Sequence, residues 1–446
     1  MSEIFLNLLK EPIFYITNDV GRGIGLENLL PNFHIVCLDD HPLVDILTRK
    51  GISVFCLERT VGKRNFLLRN AGMILNQPEV LSFIIEKSGT ESPNILFFKP
   101  QKKIEILAKK HGFRLIGNLV EINRIFEDKV EFFKICQRRG IKTPVGEIIE
   151  LSSINFKEKT VKYGLPLVIQ FGRGWAGNST FFFKNEEGLL ALQQKYPQIK
   201  VKLCQFIKGI TLLNNAVIYQ NKILLSNPAI QIKANQWLTS AEGGTGGRSW
   251  PVVLTKEETE QINNITSQVG EVMRAEKYQG FFGLDFLLSE EREIFLSENN
   301  ARLTASVPFF TKLEQKVSDF PLLGYHLFSF FPEKVLKNFE YKPSAISGSE
   351  ITVRNTQNTP VEIKGELKTG TYDHNLNFKK ESYFLESLKD DDIWLEPAAR
   401  ARIVNPEMEL CKIDTLRKVC DEKGNLLPEY QKIVEKVRQA LKMKPC

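Results

Sequence analysis

The stretch from Gly283 to Leu303 constrains this chain most, because it places polar side chains inside strongly apolar sequence. It reads GLDFLLSEEREIFLSENNARL, in which the polar segment SEERE separates two apolar runs. Two apolar runs of strand length around a short polar segment predict a β-hairpin. A carboxylate within an apolar strand is unfavourable unless a charged group meets it. The hairpin therefore predicts a site where Asp285 and the polar residues of the second strand bind something charged.

Alternation along a strand places three of these polar residues together. Residues two apart in a strand point to the same face, so Glu298 and Asn300 share a face. Antiparallel pairing of the two strands brings Asp285 to that face as well. Mg²⁺ prefers oxygen ligands of this kind, and Arg302 on the same face can bind a phosphate or carboxylate bidentately. A hairpin whose polar residues only face water remains the alternative at this point.

A metal ion that bridges phosphates implies a phosphate-binding segment elsewhere in the chain. Gly172, Gly174 and Gly177 lie in a turn between two predicted strands, 165–170 and 179–183. Such a turn lets backbone N–H groups approach an anion closely. The spacing does not fit the Walker P-loop, and a purely structural turn is the commoner meaning of such a pattern.

Two further segments offer polar groups to a nucleotide. Lys129 lies in a predicted amphipathic helix, where it can reach phosphates as a point charge, although a solvated lysine is the ordinary explanation. The segment VKLCQFIKG predicts a strand that relaxes into a linker. Around Gln205, Phe206 and Ile207, that linker can present backbone N–H and C=O groups to an adenine edge.

The order of these pieces resembles the ATP-grasp superfamily over about residues 118–335. The segment DFLLSEEREIFLSENNAR is similar to the D…ExNxR segment of that family. The segment VEINRIFEDKVEFFKICQRRGIKTP is similar to the family's DK helix and the GIxTP strand entry that follows it. The resemblance implies ATP and Mg²⁺, or Mn²⁺, as cofactors.

Carried over residue by residue, the resemblance assigns a role to each candidate. Asp285, Glu298 and Asn300 are expected to bind the metal ion, and Arg302 to stabilise an acyl phosphate and the product of its attack. The nucleotide-binding positions expected are Lys129, Gln170, Gly172, Gly174 and Gly177 at the phosphates, and Gln205, Phe206 and Ile207 at the adenine.

Several positions depart from the family pattern. The strand before the glycine turn usually carries a lysine, whereas this chain has Gln170. The hinge and the ribose site usually carry acids, whereas Gln205 and Thr211 stand here. Gln170 still donates hydrogen bonds but has no charge, and Arg173 and Lys233 are the candidates to replace the missing cation. These departures leave nucleotide binding expected and put the rate of turnover in question.

The whole sequence predicts α/β and α+β architecture in three regions. Residues 1–117 alternate strand-like and helix-like segments, which predicts an N-terminal Rossmann-like sheet similar to a pre-ATP-grasp domain. Residues 118–340 predict a central ATP-grasp fold with two α+β subdomains. Residues 341–446 predict a small C-terminal α+β domain.

Two other glycine-rich segments have open explanations. The turn at 19–25, DVGRGIG, invites a dinucleotide-binding interpretation with Asp39 and Asp40 near the ribose, but its spacing is GxGxG and favours a structural turn. The same turn can instead face an acceptor substrate. The segment 227–251 predicts a loop, either a lid that places Arg248 on a substrate carboxylate or a plain surface loop.

The resemblance implies an ATP- and Mg²⁺-dependent ligase that joins a carboxylate to an amine through an acyl phosphate and releases ADP and phosphate. The expected partners are small-molecule carboxylate and amine substrates, with amino acids or a peptide among them, and a homodimer is a possible assembly. Two alternatives stay open: an ATP-dependent carboxylase-like enzyme, and a nucleotide-binding regulatory or scaffold protein with weakened catalysis.

Composition argues against several other classes. The net charge of +7 over 446 residues is dispersed without a polybasic block, so no nucleic-acid partner is expected. No window has the roughly twenty apolar residues of a membrane span, and no signal peptide is predicted. The seven cysteines include no CxxC pair, which argues against a zinc site. A cytoplasmic protein is the expectation.

Overall fold

A parallel sheet of five strands opens the structure, a computed structural model that describes residues 9–62, 68–173, 179–317, 320–334 and 341–446. The strands are β1 (Ile13–Thr17), β2 (Phe33–Cys37), β3 (Ser53–Cys56), β4 (Asn94–Phe97) and β5 (Arg114–Ile116). The helices are α1 (Pro42–Arg49), α2 (Leu57–Val61), α3 (Ala71–Leu75), α4 (Pro78–Ser88) and α5 (Lys102–His111), with a 3-10 turn at Val20–Gly23.

The strand order of this sheet is β3-β2-β1-β4-β5, and all its pairings are parallel. The strands IFYIT and FHIVC are buried along their whole length, as parallel strands covered by helices on both faces must be. The direction of strand order reverses between β1 and β4. The parallel pairing and this strand order confirm the predicted Rossmann-like sheet. Open α/β sheets bind ligands beyond the carboxyl ends of the strands at such a reversal.

A four-stranded antiparallel sheet follows, in the order β6-β9-β7-β8. Its strands are β6 (Gly146–Glu150), β7 (Leu167–Phe171), β8 (Thr180–Phe183) and β9 (Lys200–Cys204). The helices before and within it are α6 (Val120–Glu127), α7 (Lys129–Arg139), α8 (Phe156–Tyr163) and α9 (Glu186–Lys195), with a 3-10 turn at Leu151–Ser153. Apolar side chains such as Leu167, Ile169 and Val201 form the core of this unit.

The remaining chain builds an eleven-stranded sheet and a small three-stranded sheet. The strands are β10 (Gly209–Tyr219), β11 (Lys222–Leu225), β12 (Ala229–Lys233), β13 (Thr245–Trp250), β14 (Gly280–Ser289), β15 (Ile294–Asn300), β16 (Gly348–Arg354), β17 (Val361–Ile363), β18 (Gly370–Tyr372), β19 (Phe378–Lys380), β20 (Ile393–Pro397), β21 (Ile403–Val404), β22 (Glu409–Thr415) and β23 (Met443–Pro445). The helices are α10 (Lys256–Ala275), α11 (Val307–Val317), α12 (Leu322–Ser329) and α13 (Pro428–Ala440), with a 3-10 turn at Phe384–Ser387.

The large sheet runs β15-β14-β10-β12-β13-β16-β22-β20-β18-β19, with β11 paired to β10, and the small sheet runs β21-β17-β23. Strands before and after residue 340 therefore belong to one sheet, because β13 pairs with β16. The predicted division into 1–117, 118–340 and 341–446 stays a prediction. Polar side chains from both sides of residue 340 can share a single sheet face.

The segment predicted as a loop at 227–251 instead contains the paired strands β12 and β13. Its glycines permit close backbone approach: at Gly247, φ is +134° and a Cβ atom would lie 1.9 Å from the carbonyl oxygen of Glu350. Arg248 consequently lies in a strand of the large sheet. Within the described ranges, no helix has the length and apolar character needed to cross a membrane.

A buried ion pair joins the parallel sheet region to helix α11. The ammonium group of Lys312 contacts the carboxylate of Glu27, whose side chain is fully buried. Glu27 also accepts a hydrogen bond from the backbone N–H of Gly25, and Gln315 donates to the Gly25 carbonyl. These contacts fix the turn after β1 against the helix that follows Arg302.

We expect Lys312→Met to destabilise the protein by about 3–5 kcal/mol, because it leaves the Glu27 carboxylate buried without a cation. The midpoint of thermal unfolding measures this effect. Lys316→Met is the matched control, since Lys316 lies on the same helix and is exposed. Equal midpoints for the two variants would contradict the assigned role of the pair.

Candidate active site

The hairpin of β14 and β15 brings the three expected metal-binding residues together. Asp285 lies directly opposite Glu298, and Asn300 lies opposite Gly283. The ladder shifts register after Asp285, which leaves Ser297 as an extra residue in β15. The amide of Asn300 donates a hydrogen bond of 3.2 Å to Asp285 Oδ2. Three oxygen-bearing side chains therefore converge on one face.

The two carboxylates influence each other strongly. Burial, together with the nearby charge of Glu298, raises the pKa of Asp285 to about 7. Burial also disfavours the charged form of Glu298, but the ammonium of Lys129 outweighs it, and the pKa of Glu298 is lowered. Glu298 therefore stays charged more readily, and its negative charge disfavours ionisation of Asp285.

The donor set at the hairpin fits a hard divalent cation. A cation between Asp285 and Glu298 relieves their mutual repulsion, and the Asn300 amide can turn its oxygen toward it. Among the described residues, no group of three or more His, Cys, Asp or Glu side chains has metal-binding geometry. Mg²⁺ in proteins is commonly bound by only one or two carboxylates together with substrate phosphates.

Helix α7 places Lys129 against this pair. Asp128 caps the helix by accepting the N–H groups of Val130 and Glu131 at 3.0 and 3.1 Å. The ammonium of Lys129 forms an ion pair with Glu298, and its backbone N–H donates to the carbonyl of Gly172 at 2.8 Å.

Gly172 packs closely against the helix cap, since a Cβ atom there would lie 2.6 Å from the Asp128 carboxylate oxygens. The structure thus joins Lys129, Gly172 and Glu298. Gly174 and Gly177 lie outside the described residues.

A lysine that the sequence analysis missed stands beside Gln170. Lys202 is directly paired with Gln170 across β9 and β7, so the two side chains share a face. Lys202 is only 2% exposed. Its ammonium donates to the carbonyl of Ser297 at 3.3 Å and lies 5.1 Å from the centre of the Phe133 ring. The signal in the sequence is a charged residue inside the apolar strand VKLC.

Gln170 itself donates a hydrogen bond of 3.1 Å to the hydroxyl of Thr180 on β8. The two cations proposed to replace the usual lysine lie elsewhere. Arg173 is exposed, with its guanidinium 3.8 Å from Asp128, and Lys233 lies against the turn at 421–424. Lys202 is the cation that strand pairing places next to Gln170.

Arg302 is held in place by hydrogen bonds and by an aromatic ring. Its Nε donates to Glu127 at 3.0 Å, one terminal nitrogen donates to the side-chain oxygen of Asn300 at 2.9 Å, and its guanidinium lies 4.8 Å from the centre of the Phe98 ring. Burial works against the charge of Glu127, but Arg302 and Lys99 lower the pKa of Glu127 to about 2. Arg302 is therefore oriented beside the residues expected to bind the metal ion.

The hinge residues lie at the junction of the two antiparallel sheets. Gln205 follows β9 and donates its backbone N–H to the carbonyl of Val145 at 2.9 Å. Phe206 is 43% exposed and packs edge-to-face against Phe182, with ring centres 6.0 Å apart. With Ile207, these residues form the linker between β9 and β10 rather than part of the polar hairpin.

The turn at 19–25 faces the large sheet. A Cβ atom on Gly21 would lie 2.6 Å from a carboxylate oxygen of Glu396 on β20. Asp39, offered by the dinucleotide interpretation as a ribose ligand, instead forms ion pairs with Arg402 and Arg69. The contacts therefore support a close-packed turn directed at the polar side of the large sheet.

The chain order is a parallel sheet, a small antiparallel sheet, and a large sheet that carries the polar hairpin, as expected for the fold of the ATP-grasp superfamily preceded by a pre-ATP-grasp domain. The resemblance inferred from sequence is confirmed at the level of fold. No protein-family model matches the chain, and no curated protein sequence matches it.

Solved structures with this fold match nearly the whole chain. Biotin carboxylase from Campylobacter jejuni, in a β-γ-ATP complex, has a TM-score of 0.63 and 14% identity, and the match covers 98% of this chain and 93% of that one. L-amino acid ligase from Bacillus licheniformis has a TM-score of 0.61 and 13% identity, with 98% and 100% covered.

The biotin carboxylase domain of 2-oxoglutarate carboxylase from Hydrogenobacter thermophilus also matches, in a structure that contains MgADP, ADP and bicarbonate. Its TM-score is 0.59 at 13% identity, and the match covers 98% of this chain and 90% of that domain. At such identities the similarity shows the fold alone.

The raised pKa of Asp285 predicts a pH-dependent effect of its removal. Because the folded protein holds this proton more tightly than the unfolded chain, stability falls as pH rises from about 4 to about 7. We expect Asp285→Asn to raise the thermal midpoint of the metal-free protein at pH 8 and to change it little at pH 4. Asp390→Asn, at an exposed turn, is the comparison variant. The same shift at both pH values would disprove the electrostatic explanation.

Proposed function

We propose that this chain is an ATP- and Mg²⁺-dependent ligase that joins a carboxylate to an amine. The observation that carries the proposal is the convergence of Asp285, Glu298 and Asn300 beside Lys129 and Arg302. Two strand carboxylates and an amide can hold a cation, while an ammonium and a fixed guanidinium flank it. This combination suits the handling of a triphosphate and of a developing oxyanion.

In the proposed reaction a carboxylate oxygen attacks the γ-phosphorus of ATP, and the bond to the leaving ADP breaks. The amine nitrogen then attacks the acyl carbon, phosphate leaves, and the nitrogen loses a proton. A bound Mg²⁺ would supply neutralisation of the phosphate charge. Asp285, Glu298 and Asn300 would hold it, and Arg302 stabilises the oxyanion because Glu127 and Phe98 fix its guanidinium.

Lys129 and Lys202 are proposed to bind the phosphates. Lys129 reaches the site from the start of α7, where the helix N-terminus also favours an anion. Lys202 supplies the second ammonium group, in place of the lysine absent at Gln170. Gln205, Phe206 and Ile207 are proposed to contact the adenine through the hinge.

Removing the metal-binding residues tests the core of the proposal. We expect Asp285→Ala, Glu298→Ala and Asn300→Ala each to abolish ADP release, because two remaining ligands cannot hold the metal ion and its phosphates. Phosphate and ADP release with ATP, Mg²⁺ and a panel of amino acids is the assay.

Glu293→Ala is the control, since Glu293 lies on the same hairpin in an exposed pair with Lys142. Unchanged ADP release in all three hairpin variants, with the control also active, would refute the metal site.

The role of the Lys202 charge is tested by removing it and then placing a lysine at position 170. We expect Lys202→Gln to weaken Mg·ATP binding about tenfold, since it removes a charge-assisted contact, and the added change Gln170→Lys to restore most of the affinity. Titration calorimetry measures the Kd. Lys200→Gln is the control, because Lys200 is exposed on the same strand. If Lys202→Gln binds Mg·ATP as tightly as the control, Lys202 is not a phosphate ligand.

ATP-dependent carboxylation is the second candidate function. It is favoured by the similarity to two biotin carboxylases, one of them in a structure that contains bicarbonate. The two reactions differ in what stimulates ADP release. Stimulation by amines supports the ligase, and stimulation by bicarbonate without an amine supports the carboxylase.

A further inference from the structure

Two consecutive residues at the end of β4 contact the side chains that surround Arg302. β4 ends at Phe97, and the half-buried residues Phe98 and Lys99 follow it; these two residues are called here the β4 end. β1 and β4 are the neighbouring strands at which the strand order of the parallel sheet reverses. Open α/β sheets bind ligands beyond such a reversal, so the β4 end lies where a ligand is expected.

Arg302 lies outside the strand that carries Glu298 and Asn300. β15 ends at Asn300, and the backbone N–H of Arg302 donates to the Asn300 carbonyl at 2.8 Å, so the chain turns there. Strand pairing therefore does not fix this residue. Because an arginine side chain has many rotamers, the direction of its guanidinium depends on the side chains that contact it.

Glu127 connects the β4 end to Arg302. Its Oε1 atom accepts hydrogen bonds from Nε of Arg302 at 3.0 Å and from the ammonium of Lys99 at 2.8 Å. Its Oε2 atom accepts from the amide of Asn123 at 2.7 Å, and the same amide donates to the Ala301 carbonyl at 2.7 Å. Both oxygens of Glu127 thus have donors, which fixes the plane of the carboxylate.

The charges of this group do not cancel. Glu127 contributes one negative charge, whereas Lys99 and Arg302 contribute one positive charge each, so positive charge is in excess. Without Lys99, Glu127 and Arg302 would form a neutral pair. Only 14% of the Glu127 side chain and 12% of the Arg302 side chain are exposed, so solvent screens their interaction weakly.

Phe98 contacts the guanidinium of Arg302 through the face or edge of its ring. The ring centre lies 4.8 Å from the guanidinium of Arg302 and 4.9 Å from that of Arg22, and the ring packs against the hydrophobic core. Arg22 is itself held, because its Nε donates to Asp19 at 2.9 Å and a terminal nitrogen lies 3.5 Å from Glu409. The core and a second, fixed cation therefore limit the movement of the ring.

We propose that Phe98 and Lys99 are positioning residues for Arg302: the ring of Phe98 orients its guanidinium, and Lys99 offsets the charge of Glu127. The inference rests on the proposed function. With Glu127 offset, the positive charge of Arg302 remains available to a developing oxyanion. A donor oriented before the reaction begins stabilises that oxyanion more, because no reorganisation is needed at that moment.

Variants of the β4 end test the inference by separating kcat from nucleotide binding. Because Lys99 is 42% exposed, we expect Lys99→Met to lower kcat for ADP release only about fivefold. We expect Phe98→Leu to lower kcat about tenfold, since it removes the cation–π contact. The Kd of Mg·ATP, measured by titration calorimetry, should stay unchanged in both. Lys99→Arg keeps the charge and Phe98→Tyr keeps the ring, so each should restore most of kcat.

Matched controls remove the same kinds of contact elsewhere. Lys102→Met removes a lysine from an exposed pair with Glu121, and Phe378→Leu removes a ring that lies 5.2 Å from the ammonium of Lys368. Both should keep the kcat of the wild type. If Lys99→Met and Phe98→Leu also keep it, or if they only weaken Mg·ATP binding, the β4 end does not position Arg302.

A double-mutant cycle shows whether the effect of Lys99 passes through Arg302. We expect Lys99→Met to lower kcat in the wild-type background and to have no further effect in Arg302→Gln, because the group on which it acts is then absent. A merely structural role of Lys99 would lower kcat by the same factor in both backgrounds, and that result overturns the inference.

The orientation of Arg302 is also measurable without turnover. ¹⁵N NMR of the ligand-free protein follows exchange of the Arg302 Nε proton with water, and the signal is assigned by its absence from Arg302→Gln. We expect exchange to be about tenfold faster in Lys99→Met and in Phe98→Leu than in the wild type and Lys102→Met, because the hydrogen bond to Glu127 then opens more often. Equal exchange rates in these four proteins contradict the inference.

The two proposals fail in distinguishable ways. If the wild type releases no ADP with any amine, the ligase is removed, while faster proton exchange in the two variants still supports the contact of the β4 end with Arg302. If amine-dependent ADP release is the same in the wild type and both variants, the ligase is supported and the β4 end has no positioning role.

Discussion

Two carboxylates held opposite each other on neighbouring buried strands are the constraint on which the rest of the site depends. Asp285 and Glu298 cannot both be charged at low cost in such a place unless cations surround them. Lys129 supplies one of these cations from the start of α7. The turn after β7 supports that position, because the Gly172 carbonyl accepts the backbone N–H of Lys129 at 2.8 Å and the glycine packs closely against the Asp128 cap. The turn after β7 thus helps to position the ammonium group that pairs with Glu298 on the β14–β15 hairpin.

Local sequence patterns were sufficient to predict structure wherever the residues that contact each other lie close together in the chain. Alternation along β14 and β15 predicted that Asp285, Glu298 and Asn300 share a face, and the alternating N-terminal segments predicted the parallel sheet. Both follow from periods of two or of 3.6 residues, which a sequence displays directly. Arg302 lies two residues beyond the end of β15, where its guanidinium donates a hydrogen bond to the side chain of Asn300.

The parts of the site that sequence analysis missed depend on pairing between distant strands. Lys202 meets Gln170 only through the register of β9 against β7, and a local pattern does not contain that register. Likewise, Arg248 lies opposite Glu350, and Glu350 lies opposite Asp414, only through the registers of β13, β16 and β22. The segment at 227–251 was predicted as a loop because its glycines are typical of turns. Gly247 instead allows the backbone of β13 to approach that of β16 closely. Here a glycine therefore permits strand pairing and does not mark a loop.

Whether Lys202 can act in place of a lysine at position 170 bears on the choice between a catalyst and a scaffold. An ammonium group acts as a point charge on a flexible stem, so its contribution to phosphate binding depends on where the nitrogen lies and not on which strand carries it. Directly opposed residues of antiparallel strands place their Cβ atoms about 4.5–5.5 Å apart, which a lysine stem can span. Lys202 is only 2% exposed, so its charge carries a high cost of desolvation, and the hydrogen bond to the Ser297 carbonyl offsets only part of that cost. An anion bound beside Lys202 would offset the remaining cost, and this is the physical reason for proposing its ammonium group as a phosphate ligand.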